Sequence, residues 1–437
     1  PLIIAQKEVV ATAKIPLLFN NEGVGVLYIN YFYEHDFSDD EKALIELFAQ
    51  QAAIAIQNAI RPVLLRRIKM GAYSRRFNPY VVGIPINNPD QFYGRDEVIQ
   101  SVLDSVHNNH YIIFGERRIG KTSVLHQIKN QLEYISNTDE ELYFLPIYIN
   151  IQGIESAVFL RFLMLEILKR NQSFFERLNI ANNKDYTSEN FEDDMEKLIE
   201  LEKEEHPGKE IRIVLLLDEA DTFVEYKQSV HERFRAMLQS ECGKYLRVIM
   251  AGVFVDYVVQ SKSSPWYNMM KTVEVLSLEK EEGRRLIIEP VLGYYDYKKI
   301  SIQRILTYSD LKPQDIQQLC LFSVNNMLNR IKNKETSVMI ESIPDELIVT
   351  GEDVEFACKL IIKEKEEKYR EQWKHYTEEE KQILENAADG NGIVIITGGD
   401  KKFKKHNLYN ITIPFKDGNY KLTYLFKHWL QSQKLKQ

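Results

Sequence analysis

The segment that most constrains this fold is Gly115-Glu116-Arg117-Arg118-Ile119-Gly120-Lys121-Thr122, a full match to G-x-x-x-x-G-K-[ST]. The apolar run Tyr111-Ile112-Ile113-Phe114 precedes it and a helical pattern from Ser123 to Leu132 follows. Strand, glycine-rich loop and helix therefore succeed one another. The two glycines let backbone N–H groups approach phosphates without a Cβ in the way, and the helix N-terminus adds its positive end. Lys121 would reach the β- and γ-phosphates, and the Thr122 hydroxyl would ligate Mg2+. The expected phosphate-side set is Gly115, Glu116, Arg117, Arg118, Ile119, Gly120, Lys121, Thr122 and Ser123. A chance Gly-Lys turn is the bland alternative, and the placed strand and helix argue against it.

About a hundred residues later stands Ile213-Val214-Leu215-Leu216-Leu217-Asp218-Glu219. A buried parallel strand ending in carboxylates delivers them to the sheet edge where the loop lies. Adjacent acids at a strand end point to different sides. Asp218 fits the Mg2+-associated acid, and Glu219 fits the base that orients the attacking water, with Lys121 as the second catalytic residue. The following Ala220-Asp221 completes the letters DEAD without any helicase motif set. No N-K-x-D element serves guanine, since Asn183-Lys184-Asp185-Tyr186 has the wrong spacing. ATP and Mg2+ are thus the expected cofactors.

With 437 residues the chain exceeds a single hydrophobic core, and about two to four domains are expected. From Phe92 to Leu278 short apolar strands alternate with helical patterns, the signature of a mostly parallel sheet covered by helices. The expected strands are Tyr111–Phe114, Phe144–Ile151, Ile211–Leu217, Leu246–Ala251 and Val273–Leu276. Asn190–Glu205 reads as an acidic helix with Phe191, Met195, Leu198 and Leu201 on one face and a solvated charge run on the other. Helical patterns dominate after Ser277 to about Arg370. Thr377 to Leu430 has two helical stretches around a strand-turn-strand at Phe415–Tyr420, which suggests a winged helix. At the N-terminus, Ala13–Phe19 and Gly23–Tyr33 read as strands, and Ser38-Asp39-Asp40-Glu41 opens a helix as a capping box.

The remaining composition excludes several classes. No stretch approaches the about 18 apolar residues of a membrane helix, mean hydropathy is −0.34, and a soluble, cytoplasmic chain with no membrane partner is expected. Cys242, Cys320 and Cys358 form no CxxC pair, and the nine histidines form no HExxH, so neither a disulfide framework nor a zinc site is expected. A net charge of −8 argues against broad polyanion binding. Two basic islands stand out: Arg61, Arg66, Arg67, Lys69, Arg75 and Arg76, and Lys401-Lys402-Phe403-Lys404-Lys405-His406. The first is read as a solvated segment with phosphate contact as the alternative, and the second as part of a domain used for intramolecular regulation with contact to DNA phosphates as the alternative.

Two resemblances go further. Gly25-Val26-Leu27-Tyr28-Ile29-Asn30, Phe37-Ser38-Asp39-Asp40-Glu41 and Ala49-Gln50-Gln51-Ala52-Ala53-Ile54-Ala55-Ile56-Gln57-Asn58-Ala59 resemble the C-terminal half of a GAF domain. This implies half a sensory fold and no ligand, and a chain that begins inside a domain of a larger protein. Asn78-Pro79-Tyr80, Phe92-Tyr93-Gly94-Arg95-Asp96-Glu97 and Gly115 to Ser123 resemble STAND and archaeal-ATPase-like P-loop proteins, relatives of AAA+ ATPases. Asp218-Glu219, Val248–Gly252, Ser264-Pro265-Trp266-Tyr267-Asn268 and the Lys421–Leu430 ending extend the match over about residues 78–430.

The resemblance implies an α/β P-loop NTPase sheet with a helical lid, a C-terminal winged helix and the partial GAF α+β segment in front. It implies a division into 1–70 partial GAF, 71–91 linker, 92–278 ATPase core, 279–370 lid and 371–437 winged helix. Phe92 and Arg95 become adenine-side contacts, and Pro313 of Leu311-Lys312-Pro313 a lid contact to the nucleotide. Three departures matter: the lid glycine is replaced by Leu311, the Ala251-Gly252-Val253 strand end offers no polar sensor, and no arginine finger stands out among Arg117, Arg118, Arg233 and Arg235. A slow ATPase acting as a signalling switch is the leading expectation, partnered by a homo-oligomer or protein effector. The alternatives are an ATP-dependent DNA-binding protein of the origin-recognition or transposition-helper type, and a scaffold that holds nucleotide without hydrolysis.

Overall fold

The apolar runs around the loop assemble into one parallel sheet. The computed structural model describes residues 10–19, 22–31, 33–38, 41–42, 44–46, 48–50, 52, 78–170, 172–182, 185–253, 266, 268–292, 294–331, 347–394, 411–414 and 420–434. Contacts group the chain into two units, one of residues 1–78, 291–297 and 327–349, the other of 79–290, 298–326 and 350–437.

In the first unit, β1 (Ala11–Phe19) and β2 (Glu22–Tyr31) form an antiparallel hairpin. Ser38 and Glu41 make the capping box: the Ser38 N–H donates to Glu41 Oε2 at 2.9 Å, and the Glu41 N–H donates to Ser38 Oγ at 3.3 Å. Leu17 and Ala49 are buried together, while Leu44 and Phe48 are exposed. The short strands Asp296–Tyr297 and Ile348–Val349 pair in parallel.

The second unit holds the five-stranded sheet. Its strands are β3 (His110–Phe114), β4 (Leu142–Asn150), β5 (Glu210–Asp218), β6 (Leu246–Gly252) and β7 (Met270–Glu274), in the order β4-β5-β6-β3-β7. Every neighbouring pair is parallel. The strand carrying the phosphate loop is thus separated from the acid-bearing β5 by β6. Residues of β6 are buried throughout and those of β5 at all but the first position, as a sheet covered on both faces requires. Alternation sorts the side chains. Phe144, Val214, Leu216, Ile249 and Ala251 face α1 (Asp96–Leu103) and α2 (Lys121–Thr138). Leu145, Ile147, Leu215, Leu217, Val248 and Met250 face α3 (Phe159–Leu168), α4 (Ser188–Glu205) and α5 (Gln228–Leu238).

The edge strand β7 starts three residues before the expected Val273. Lys271 and Thr272 are exposed there, so the strand carries no apolar alternation to announce it. In α4 the face of Phe191, Met195 and Leu198 is buried, with Ile199 rather than Leu201 completing it. Trp266 is also in this core, 1% exposed, its Nε1 donating to His231 Nδ1 at 3.0 Å.

Beyond the sheet run α6 (Lys280–Ile288), α7 (Lys299–Tyr308), α8 (Pro313–Ile331) and α9 (Gly351–Lys374). Proline suits the first position of α8, because its missing N–H would have no helical acceptor there. Thr350 and Asp353 form the capping box of α9. The C-terminal part comprises α10 (Glu378–Asp389), the antiparallel strands β8 (Ile393–Val394), β9 (Thr412–Pro414) and β10 (Tyr420–Leu422) in the order β8-β10-β9, and α11 (Tyr424–Lys434). Leu384, Val394, Leu422, Phe426 and Trp429 share its core with Tyr369 of α9. The expected turn at Phe415–Tyr420 falls outside the described residues except Tyr420, as do both basic islands and Ser264, Pro265 and Tyr267.

Candidate functional site

The loop between β3 and α2 closes tightly. A Cβ on Gly115 would lie 2.5 Å from the carbonyl oxygen of Val275, so no larger residue fits there. Gly120 takes φ +103°, the left-handed region where a side chain is strained, and α2 starts at the next residue. Arg118 also takes a left-handed conformation at φ 66°. Lys121 folds back over the loop, its Nζ donating to the carbonyls of Gly115 at 2.9 Å and Glu116 at 2.8 Å. Burial lowers its pKa, and the carboxylates of Asp221, Glu219 and Asp218 work against that shift. A half-buried ammonium whose hydrogen bonds go to carbonyls, beside three acids, is suited to an anionic ligand.

Asp218 ends β5 with its side chain on the α2 face, the same side as Leu216. Its Oδ2 accepts from the Thr122 hydroxyl at 2.8 Å and from the Tyr148 hydroxyl at 2.8 Å, while Oδ1 accepts the Glu219 N–H at 3.0 Å. It is 3% exposed. Burial first, then the Asp218 carboxylate, push the Tyr148 phenol above its ordinary pKa, so it remains a donor at neutral pH. Glu219 leaves the strand in the left-handed region at φ 54° and lines the same cavity as Asp218. Hydroxyl and carboxylate oxygens suit a hard divalent cation such as Mg2+.

The cavity measures about 460 Å3 and takes in Arg117, Arg118, Lys121, Thr122, Asp218 and Glu219. Its apolar wall includes Val81, Ile84, Pro85, Phe92, Leu286 and Pro313. The segment expected as linker thus contributes to the site. It is stitched along α2: the Ile86 N–H donates to Ser123 Oγ at 2.9 Å, Gln127 Nε2 donates to the Ile86 carbonyl at 3.0 Å, and Asn130 Nδ2 to the Asn87 carbonyl at 2.9 Å. The Tyr80 hydroxyl donates to the Ile287 carbonyl of α6. Ser123 is therefore engaged by the protein backbone.

Phe92 and Arg95 both line the cavity. Arg95 takes φ 67°, its N–H donates to Glu282 Oε1 at 3.0 Å, and its guanidinium donates to the Ile119 carbonyl at 2.8 Å. Burial pulls its pKa down to about 10, so it stays charged at neutral pH. Arg95 braces the loop through the Ile119 carbonyl. Leu311, where the resemblance leads to an expected glycine, holds φ 59°, in the left-handed region that favours glycine. The end of β6 is fixed by Asp221, whose Oδ2 accepts the Val253 N–H at 2.8 Å, and the apolar side chains of Ala251 and Val253 line the cavity. Arg117 and Arg118 are exposed and line the cavity, whereas Arg233 and Arg235 of α5 do not.

Three participants escaped the sequence reading: Tyr148, Lys312 and the wall at 81–86. Tyr148 had no signal of its own, because its place opposite Leu216, one alternation short of Asp218, follows from the β4–β5 register of the folded sheet. Lys312 had none, since its Nζ meets Glu116 Oε2 at 2.5 Å across 196 residues.

No protein-family model matches the chain, and no curated protein matches it in sequence. Among solved structures it is similar to a Walker-type ATPase of Pyrococcus abyssi, at 17% identity and a TM-score of 0.51, over 80% of this chain and 99% of that one. It is more loosely similar to the Aeropyrum pernix ORC1 protein in complex with DNA (13%, TM-score 0.41, 79% and 94% covered). The Thermotoga maritima RuvB Holliday junction branch migration motor stands at a comparable distance (14%, TM-score 0.42, 78% and 97% covered). The first likeness is one of fold: this chain is an α/β protein built on the P-loop ATPase sheet, with a helical C-terminal part. Among the described residues no helix is long and apolar enough to cross a membrane.

Proposed function

We propose that this cavity binds ATP with Mg2+ and hydrolyses it slowly, and that the chain works as a nucleotide-controlled switch. The observation that carries the reading is the Thr122–Asp218 hydrogen bond of 2.8 Å in a cavity shared with the half-buried Lys121. The roles follow from the chemistry of the groups. The loop N–H groups and Lys121 would take the phosphates, with the Thr122 hydroxyl and Asp218 on the metal side. A bound Mg2+ would supply charge neutralisation at the phosphates. Glu219, at the cavity edge and outside the strand ladder, is the group we assign to accept a proton from the attacking water. The apolar wall of Val81, Ile84, Phe92 and Pro313 supports a base-sized ligand over a bare polyphosphate.

Slow turnover is favoured because the end of β6 brings the apolar side chains of Ala251 and Val253 to the cavity. We assign 92–278 to the ATPase core, 279–370 to the lid, 371–437 to a winged helix and 1–70 to a partial GAF segment, with 71–91 before the core. Two contacts support a switch. Lys312 joins the lid to Glu116 of the loop, and Asp310 Oδ2 accepts the Tyr424 N–H of α11 at 2.6 Å. A change at the loop therefore has a short path to the C-terminal helix. The test is phosphate release by the intact chain: Glu219→Gln should keep ATP bound while losing hydrolysis, and normal turnover by that variant would place the base elsewhere.

A further inference from the structure

Four side chains from three elements close a ring behind the metal side of the site. Thr122 and His126 lie one turn apart on α2, Tyr148 is on β4 and Asp218 ends β5. Thr122 donates to Asp218 Oδ2 at 2.8 Å, Tyr148 donates to the same oxygen at 2.8 Å, and the Tyr148 ring stacks on His126 with centroids 4.4 Å apart at 30°. Register explains the meeting, since β4 and β5 are parallel with Tyr148 opposite Leu216 and Asn150 opposite Asp218. Tyr148 therefore shares the α2 face with Asp218, and its long phenol spans the remaining step. A tyrosine needed only to fill this space would do as well as phenylalanine. Here the hydroxyl is spent on a carboxylate that is 3% exposed.

We propose that Tyr148 is a positioning residue for the metal side of the site, fixing Asp218 so that the Thr122 hydroxyl donates its hydrogen bond to that carboxylate and its oxygen lone pairs would be left for the cation. The inference rests on the nucleotide reading above. With the phenol in place, Asp218 has both oxygens held, one by two hydroxyls and the other by the Glu219 N–H. Without it, the carboxylate loses one of three restraints and the Thr122 hydroxyl loses its fixed acceptor. Hydrogen-bond partners behind metal ligands commonly control metal affinity by about tenfold or more.

Tyr148→Phe keeps the stack on His126 and removes only the hydroxyl. In equilibrium binding of a fluorescent ATP analogue by the full chain, this variant should match wild type in EDTA. It should need about tenfold more Mg2+ to reach its metal-enhanced affinity. An unchanged Mg2+ midpoint, or equal weakening with and without Mg2+, overturns the inference and leaves Tyr148 a packing residue. His126→Leu, which leaves the hydroxyl but removes the stack, should shift the midpoint in the same direction by less. If Tyr148→Phe fails to fold, an unshifted midpoint in His126→Leu overturns the proposal. Loss of the nucleotide reading itself looks different: Lys121→Ala would then bind the analogue as wild type does, or wild type would not bind it at all.

Discussion

The ammonium of Lys312, one residue before the proline that opens α8, lies 2.5 Å from Oε2 of Glu116, the second residue of the phosphate loop. Their side chains are 10% and 15% exposed, so the pair is nearly out of water. Removing one partner strands the other charge, whereas removing both does not. Lys312→Met should cost about 2–4 kcal/mol in chemical denaturation. Lys312→Met with Glu116→Gln should recover at least half of that loss. Strict additivity of the two single effects would show that the pair is uncoupled.

Asp310 gives a pH signature. Burial pushes its carboxyl up to about 6, while the Tyr424 N–H, Lys312 and Lys421 pull it down and Asp315 adds to the rise. The folded chain therefore binds this proton more tightly than the unfolded one, whose value is near 3.8. The stabilising contribution is full below pH 3.8 and is lost as pH rises through 6. Asp310→Asn keeps an acceptor for the α11 N–H and has nothing to titrate. Relative to this variant, wild type should lose about 2–3 kcal/mol of unfolding free energy between pH 4 and pH 7.5. A flat difference across that range would remove Asp310 from the account.

Arg95 braces the loop through the Ile119 carbonyl, while its N–H is gripped by Glu282 of α6. Arg95→Lys keeps the charge but not the geometry of the guanidinium. It should weaken nucleotide binding by about tenfold, the scale of one lost charge-assisted hydrogen bond, with little change in unfolding midpoint. Equal affinities for the two proteins would mean that the brace does not matter to the loop.

The sequence makes the sheet and the loop readable for a physical reason: buried parallel strands must be apolar runs, and a phosphate loop needs glycine where Gly115 and Gly120 stand. Contacts between distant residues were not readable. Asp194 belongs to a charge run that looks solvated, yet it is fully buried and accepts the N–H groups of Asn179 at 2.7 Å and Ile180 at 3.0 Å and the Tyr186 hydroxyl at 2.9 Å. A carboxylate that caps a one-turn helix cannot be told from a surface acid by its neighbours in sequence. The same holds for Lys312 and Glu116. The segment at 81–86 reads as linker because Gly83 and Pro85 break periodicity. Its hydrogen bonds go to side chains of α2 rather than to a ladder, and such bonding leaves no periodic trace.

Titration calorimetry with ATP and Mg2+ shows whether the loop at Gly115–Thr122 binds nucleotide through Lys121. Wild type should bind one ATP per chain, and Lys121→Ala should lose at least about 100-fold in affinity, the loss of a charged phosphate contact in a buried site. ATP affinity unchanged by Lys121→Ala would mean that the loop does not hold the phosphates through this lysine.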